Sequence, residues 1–236
     1  MSRPLPYARP AAGSQPPNLH PAYRGTLKRA PLRPPLRLEQ DLSEITGPGF
    51  ASGWAGPQTT DLTRAGKGEG EALGQRIILT GRLLDGDGRP VAKTLVELWQ
   101  CNAAGRYLHG KDQHDAPLDP NFTGAGRALT NERGEYRFLT IKPGSYPWRN
   151  TNNAWRPAHI HFSLFGPAYA TRLITQMYFP GDPLLPYDPI FNSVPDEAAR
   201  RRLISAYDPD LSEPEHALGY RFDIVLRGRD STPMGT

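Results

Sequence analysis

Two histidines one residue apart, His159 and His161, stand in the run Arg156-Pro-Ala-His159-Ile-His161-Phe162, a short distance after Tyr146-Pro-Trp148-Arg149. Ile160, Phe162 and Leu164 interleave and continue the run with apolar side chains. That alternation reads as a strand, which sends every second side chain to one face. Both imidazoles then point the same way, spaced to hold one metal ion, with phenols and a guanidinium close by in sequence. Taken alone, an H-x-H pair in a strand also serves in ordinary hydrogen bonding, so it is only a partial ligand set. The remaining histidines, His20, His109, His114 and His216, are isolated in polar or turn-like surroundings and read as structural or solvated.

The donors on offer narrow the metal. A single cysteine, Cys101, excludes an intrachain disulfide and any thiol-rich zinc or iron–sulfur site. A hard, highly charged cation favours anionic oxygen. Phenolate is such a donor, because a strongly polarising ion displaces a proton otherwise held with a pKa of about 10. Two tyrosinates with two neutral imidazoles stabilise Fe(III) more than Fe(II). The chain has ten tyrosines, and composition does not choose among them.

Such groups need a rigid frame. With 24 Gly and 26 Pro, the chain favours many short strands joined by turns over long helices. The pattern predicts strands over Arg76–Leu84, Leu95–Gln100, Arg127–Thr130, Tyr136–Ile141, His159–Leu164, Leu173–Phe179 and Tyr220–Leu226. One helix is expected over Glu197–Tyr207, with Ser193 as a cap and Pro195 and Asp196 in its first turn. Together these argue for an all-β fold, an antiparallel sandwich or barrel.

Residues 1–40 are too rich in proline for a helix or a central strand, and are expected to run extended over the surface or a partner. Residues 1–38 carry seven Lys/Arg and no acid, which leaves the remainder at about −3 of the net +4. The basic pI therefore belongs to this arm, and a partner-wrapping or solvated tail fits it better than a nucleic-acid surface. Residues 41–236 read as one domain. A short helix is expected near Leu42–Thr46, and Gly66-Lys-Gly68 lacks the preceding strand that a phosphate cradle needs. No apolar h-region or membrane-spanning run is visible, so a soluble, cytoplasmic protein is expected.

Six ordered segments resemble the intradiol ring-cleaving dioxygenases: Gly81-Arg-Leu-Leu-Asp85, Thr94 through Tyr107, Asp119-Pro-Asn-Phe122, Thr140 through Arg149, Trp155 through Phe162, and Tyr220 through Leu226. The arm segment His20-Pro-Ala-Tyr23 and the loop Ile45-Thr-Gly-Pro-Gly49 extend the likeness to nearly the whole chain. The resemblance implies an antiparallel β-sandwich with an extended N-terminal arm, long loops and one short helix in the C-terminal half. It implies that Tyr107, Tyr146, His159 and His161 ligate a non-haem Fe(III), with a solvent-derived hydroxide as fifth ligand. Tyr146 would be the ligand released by substrate, and Arg156 would lie beside the bound ring. Tyr23, Trp148, Gln176 and Ile190 match positions that line the substrate pocket. Cys101 stands where the family commonly has a small residue and reads as a packing change.

The implied activity is cleavage of an ortho-dihydroxybenzene between its hydroxylated carbons, with both atoms of O2 entering one product. Protocatechuate is the expected substrate, with a hydroxyl on Tyr23 available to its carboxylate. Catechol and hydroxyquinol are the alternatives within the family, although relatives acting on them bring a helical N-terminal region. A non-catalytic β-sandwich binding module is the alternative from another class. A homologous α subunit without the iron ligands is the expected partner, in a symmetric αβ assembly.

Overall fold

The computed structural model describes residues 10–36, 56–150, 152, 154–165 and 173–234. Eleven strands are present among these: β1 (Arg76–Leu84), β2 (Leu95–Trp99), β3 (Ala125–Leu129), β4 (Glu135–Ile141), β5 (Tyr146–Pro147), β6 (Trp155–Arg156), β7 (His159–Phe165), β8 (Leu173–Tyr178), β9 (Ala206–Tyr207), β10 (Leu218–Arg221) and β11 (Ile224–Val225). Helices are one-turn elements, α1 (Gly25–Arg29) and α2 (Glu197–Arg201), besides short 3-10 turns at Leu185–Tyr187 and Phe191–Ser193.

One sheet runs β11-β1-β10-β9 with β4 on the other edge of β1, and the second runs β3-β2-β7-β8. Their facing sides share a core in which Ile77, Leu79 and Leu83 of β1 and Phe138 of β4 meet Val96 and Leu98 of β2 and Ile160, Phe162 and Leu164 of β7. Fully burying each such side chain stabilises the fold by about 1.5–3 kcal/mol relative to exposure. The all-β expectation holds, and the second sheet is antiparallel throughout. The first sheet is mixed, because β10 and β11 run parallel to β1.

The expected strand Tyr220–Leu226 is split. Between β10 and β11 the Asp223 carboxylate accepts the Arg82 backbone N–H at 2.7 Å, replacing a ladder bond. Gly81 permits this crossing, since a Cβ there would lie 1.8 Å from the Phe222 carbonyl oxygen. The expected helix over Glu197–Tyr207 ends at Arg201. Its cap is Asp196, whose carboxylate accepts the Ala198 N–H, and not Ser193, whose hydroxyl donates to Ile190 O at 2.6 Å. Residues 206–207 instead pair with Tyr220 and Arg221 as β9.

In the arm, α1 corrects the expectation that no helix forms: it occupies the stretch between Pro21 and Pro31, where no ring blocks a turn. The Thr26 hydroxyl closes it onto His20 O and Tyr23 O. The helix expected near Leu42–Thr46 and the loop Ile45–Gly49 lie outside the described residues. The backbone N–H groups of Gly66, Lys67 and Gly68 are taken up by Asn121 O and Pro120 O, consistent with no phosphate role. Among the described residues, no helix is long and apolar enough to cross a membrane.

Candidate metal centre

β7 divides the molecule by parity. Ile160, Phe162 and Leu164 enter the core between the sheets, and His159 and His161 project from the opposite face. Register then fixes their neighbours: Tyr178 and Gln176 of β8 lie opposite His159 and His161, and Trp99 of β2 lies opposite His161 on the other side. The indole of Trp99 stacks on the His161 ring, centroids 4.8 Å apart and planes 3° from parallel. Stacking at a register partner holds the plane of that imidazole.

The phenols come from outside the sheet. Tyr146 sits on the two-stranded ribbon β5–β6, directly opposite Arg156. Tyr107 follows a tight loop organised by Asn102, whose side-chain oxygen accepts the Ala104 and Arg106 N–H groups. Gly105 turns that loop at φ +80, and a Cβ there would meet Ser145 O at 2.4 Å, beside Tyr146. Asp112 accepts the Tyr107 N–H at 2.8 Å. Turn geometry thus brings Tyr107 against Tyr146, ring centroids 5.4 Å apart.

The four rings close a circuit. Tyr146 lies 5.4 Å from His159, His159 lies 4.9 Å from His161, and His161 lies 6.4 Å from Tyr107, centroid to centroid. The Tyr146 hydroxyl is 3.3 Å from His159 Nε2. His159 Nδ1 lies 2.7 Å from Pro157 O, so Nδ1 carries the proton and donates. Nε2 is then the lone pair, and Arg156 Nη1 donates to it at 2.9 Å. Burial and the Arg156 charge push His159 well below the usual histidine range and His161 down to about 3. Both imidazoles are therefore neutral at physiological pH.

The donor set fits a ferric ion. The Tyr107 hydroxyl is buried without a hydrogen-bond partner, a costly state that an ion would relieve. Burial raises Tyr107 well above the ordinary phenol range, with Tyr146 nearby adding to it, and burial raises Tyr146 too. Ionising such phenols at neutral pH takes a strongly polarising cation. The phenols of Tyr107 and Tyr146 are the oxygen donors beside the two imidazoles, and among the described residues no group of three or more His, Cys, Asp or Glu side chains could hold a metal ion.

Arg156 is 2% exposed and its Nη2 is caged by Gln176 Oε1 at 2.7 Å, Asp188 Oδ2 at 2.7 Å and the Tyr178 hydroxyl at 3.0 Å. Its charge also lies over the Trp148 ring, 5.2 Å from the centroid. Trp148 packs on Tyr23 of the arm at 5.5 Å, and Asn150 accepts the Gly25 N–H, tying α1 to the ribbon. Ile190 is held nearby, its N–H bound to Asp188 Oδ1 at 2.9 Å. Every site residue read from the sequence thus joins one connected region. Sequence reasoning missed Trp99, Tyr178 and Asp188. The first two follow from strand register with His161 and His159, while Asp188 lies in a turn with no periodic signal. Cys101 is buried beneath the site, its Sγ 3.3 Å from Gly144 O, and burial pushes the thiol up to about 12.

Comparison with known proteins gives a consistent result. A family model described as Dioxygenase matches residues 45–228, and one described as Protocatechuate 3,4-dioxygenase beta subunit N terminal matches residues 7–41. The chain is 61% identical over 221 residues to the protocatechuate 3,4-dioxygenase beta chain of Burkholderia cepacia, covering 94% of each. It is 30% identical to the alpha chain from the same organism, over 83% of this chain and 96% of that one. Among solved structures, it is similar to the dioxygenase domain of a carbohydrate-binding fusion protein from Streptomyces sp. SirexAA-E, at 25% identity and a TM-score of 0.53, covering 77% of this chain and 94% of that one.

Proposed function

Because the chain belongs to the intradiol dioxygenase family, we propose that it is an iron-bearing protocatechuate 3,4-dioxygenase chain that opens the ring of 3,4-dihydroxybenzoate with O2. The product is 3-carboxy-cis,cis-muconate, within aromatic catabolism by the β-ketoadipate route. The observation that carries the reading is the closed circuit of Tyr107, Tyr146, His159 and His161 with Arg156 beside it.

Tyr107, Tyr146, His159 and His161 would hold non-haem Fe(III), which when bound supplies Lewis acidity toward an ortho-diphenol and directs O2 to it. The chain's own groups do the rest. With the metal bound, Tyr146 Oη, on a short ribbon at the edge of the site, would be the phenolate placed to take a phenolic proton from the substrate. The Arg156 guanidinium, permanently charged and planar, stabilises negative charge developing on the ring. His159 keeps its Nδ1 proton on Pro157 O, so its Nε2 lone pair stays directed to the centre. Trp148 and Ile190 provide the walls, and Gln176 holds Arg156 from behind. Tyr23 offers its hydroxyl to the ring carboxylate, which is what favours protocatechuate over catechol or hydroxyquinol.

The arm, residues 1–40, would lie against a homologous α subunit in an αβ assembly, with 41–236 as the catalytic domain. Support comes from the match to a beta-subunit N-terminal family over residues 7–41 and from the separate alpha-chain relative.

Iron analysis, the visible spectrum and oxygen uptake with protocatechuate test the reading together, on protein purified with its partner. The expected outcome is red-brown protein that consumes O2 with no added reductant. Colourless protein at full iron occupancy would rule out tyrosinate ligation, and absence of uptake would rule out the activity.

A further inference from the structure

Asp188 is buried completely, 0% exposed, and its carboxylate is bonded to Arg156 and to the Ile190 backbone. Its two carboxylate oxygens have separate tasks. Oδ2 accepts Arg156 Nη2 at 2.7 Å, and Oδ1 accepts the Ile190 N–H at 2.9 Å. Its own carbonyl accepts the Asn192 N–H and the Asn192 side-chain amide, which locks the turn 188–192. One carboxylate therefore joins the guanidinium to the backbone of a pocket wall.

The cage around Nη2 is oversupplied. That nitrogen carries two hydrogens and faces three acceptors, on Asp188, Gln176 and Tyr178. The Tyr178 hydroxyl in turn donates to Gln176 Oε1 at 3.1 Å. With Nη2 consumed, only Nη1 and Nε of Arg156 remain for the centre. Nη1 reaches His159 Nε2, and Nε is buried without a partner. Of the three acceptors, Asp188 alone bears a full charge. Gln176 and Tyr178 are neutral and sit on β8, so they fix where Nη2 can go but do not balance it.

We propose that Asp188 is the positioning residue for Arg156: it anchors Nη2 through a charge-assisted bond, which holds Nη1, on His159 Nε2, and the unpartnered Nε at the centre where the substrate would bind, and it fixes the Ile190 backbone beside the same place. The inference rests on the reading of Arg156 as the group beside the substrate. A buried ion pair of this kind is weak evidence for stability, and one carboxylate holding both the guanidinium and the Ile190 backbone points instead to orientation. A misplacement of about 1 Å at a group that contacts the reacting centre costs about 100-fold in rate.

The test is a double-mutant cycle on the iron-loaded complex, with Asp188→Asn, Arg156→Ala and the pair, plus a crystal structure of Asp188→Asn with and without iron. Asp188→Asn is expected to lower kcat about 100-fold, leave KM for protocatechuate within about twofold, and keep the visible band and iron content. In the Arg156→Ala background the same change should cost almost nothing further, because Asp188 acts through Arg156. The structure should show the guanidinium rotated or shifted by more than about 0.5 Å. If Arg156→Ala retains full kcat/KM, the role of Arg156 falls and the inference with it. If Arg156→Ala is slow but Asp188→Asn is fully active, additive with it, or unmoved in the crystal, only the positioning role is overturned. Should Asp188→Asn fail to accumulate as folded protein, Asp188→Glu carries the same cycle. It keeps the charge one methylene further out, and wild-type kcat in that variant overturns the proposal.

Discussion

Tyr146 and Arg156 are register partners across the β5–β6 ribbon, so the phenol and the guanidinium enter the site from directly opposed backbone positions. Neither side chain belongs to the sheet that carries the imidazoles. Arg156 is nevertheless tied to that sheet, through Gln176 and Tyr178 of β8 and through His159 itself.

The two faces of β7 should respond differently to truncation. His161→Ala is expected to abolish stable iron binding with little loss of fold, whereas Ile160→Ala should lower the unfolding free energy by about 2–5 kcal/mol and leave iron content intact. Metal analysis and denaturant melts on both variants distinguish these outcomes. Normal iron content in His161→Ala would remove that residue from the ligand set.

Tyr146→Phe keeps the ring in its packing against Tyr107 and removes only the oxygen. Iron should be retained in part, and substrate chelation should slow by about 100-fold or more as its proton acceptor is lost. Stopped-flow absorbance with protocatechuate in the absence of O2 reads the rate directly. An unchanged rate would defeat the proton-accepting role.

Tyr23→Phe preserves the contact with Trp148 and deletes the hydroxyl. If that group meets the ring carboxylate, KM for protocatechuate should rise roughly 10–100-fold, the worth of a hydrogen bond to a charged group. Turnover of catechol, which has no carboxylate, should be unaffected. Equal effects on both substrates would assign Tyr23 to packing alone.

Cys101 should resist alkylation. With its thiol pushed up to about 12 by burial, the native protein at pH 8 holds far less thiolate than the roughly one quarter of a free thiol. The sign is fixed by the shift: raising the pH toward the folded-state value increases labelling, and unfolding at pH 8 increases it at once. Mass spectrometry after iodoacetamide, with and without denaturant, gives the comparison. Fast labelling of native protein would make Cys101 a reactive thiol.

Much of the frame was legible because period-two patterning reports which face of a strand is buried. His159-Ile160-His161-Phe162 carries both the core and the site in four letters, and β1 reads off Arg76–Leu84 without adjustment. The ligand tyrosines were not legible from residue chemistry, since ten phenols look alike; the ordered likeness to a family singled out Tyr107 and Tyr146. Asp188 escaped both approaches. Its meaning comes from a three-dimensional meeting with Arg156, and a lone Asp before a proline looks like any turn. The helix expected over 197–207 is shorter in the fold, although local propensity favours it through Ile204. The exposed edge of β10 offered Ala206 and Tyr207 a ladder that ended it earlier.

The pairing of β1 with both β10 and β11 carries a consequence for how the protein is made. Strand β1 emerges early in synthesis, but its parallel neighbours are separated from it by well over a hundred residues. Until those late segments leave the ribosome, one edge of β1 must be shielded by something other than its native neighbours. Chains halted before Leu218 should therefore burden chaperones and precipitate, even though every residue of the donor circuit has already been translated.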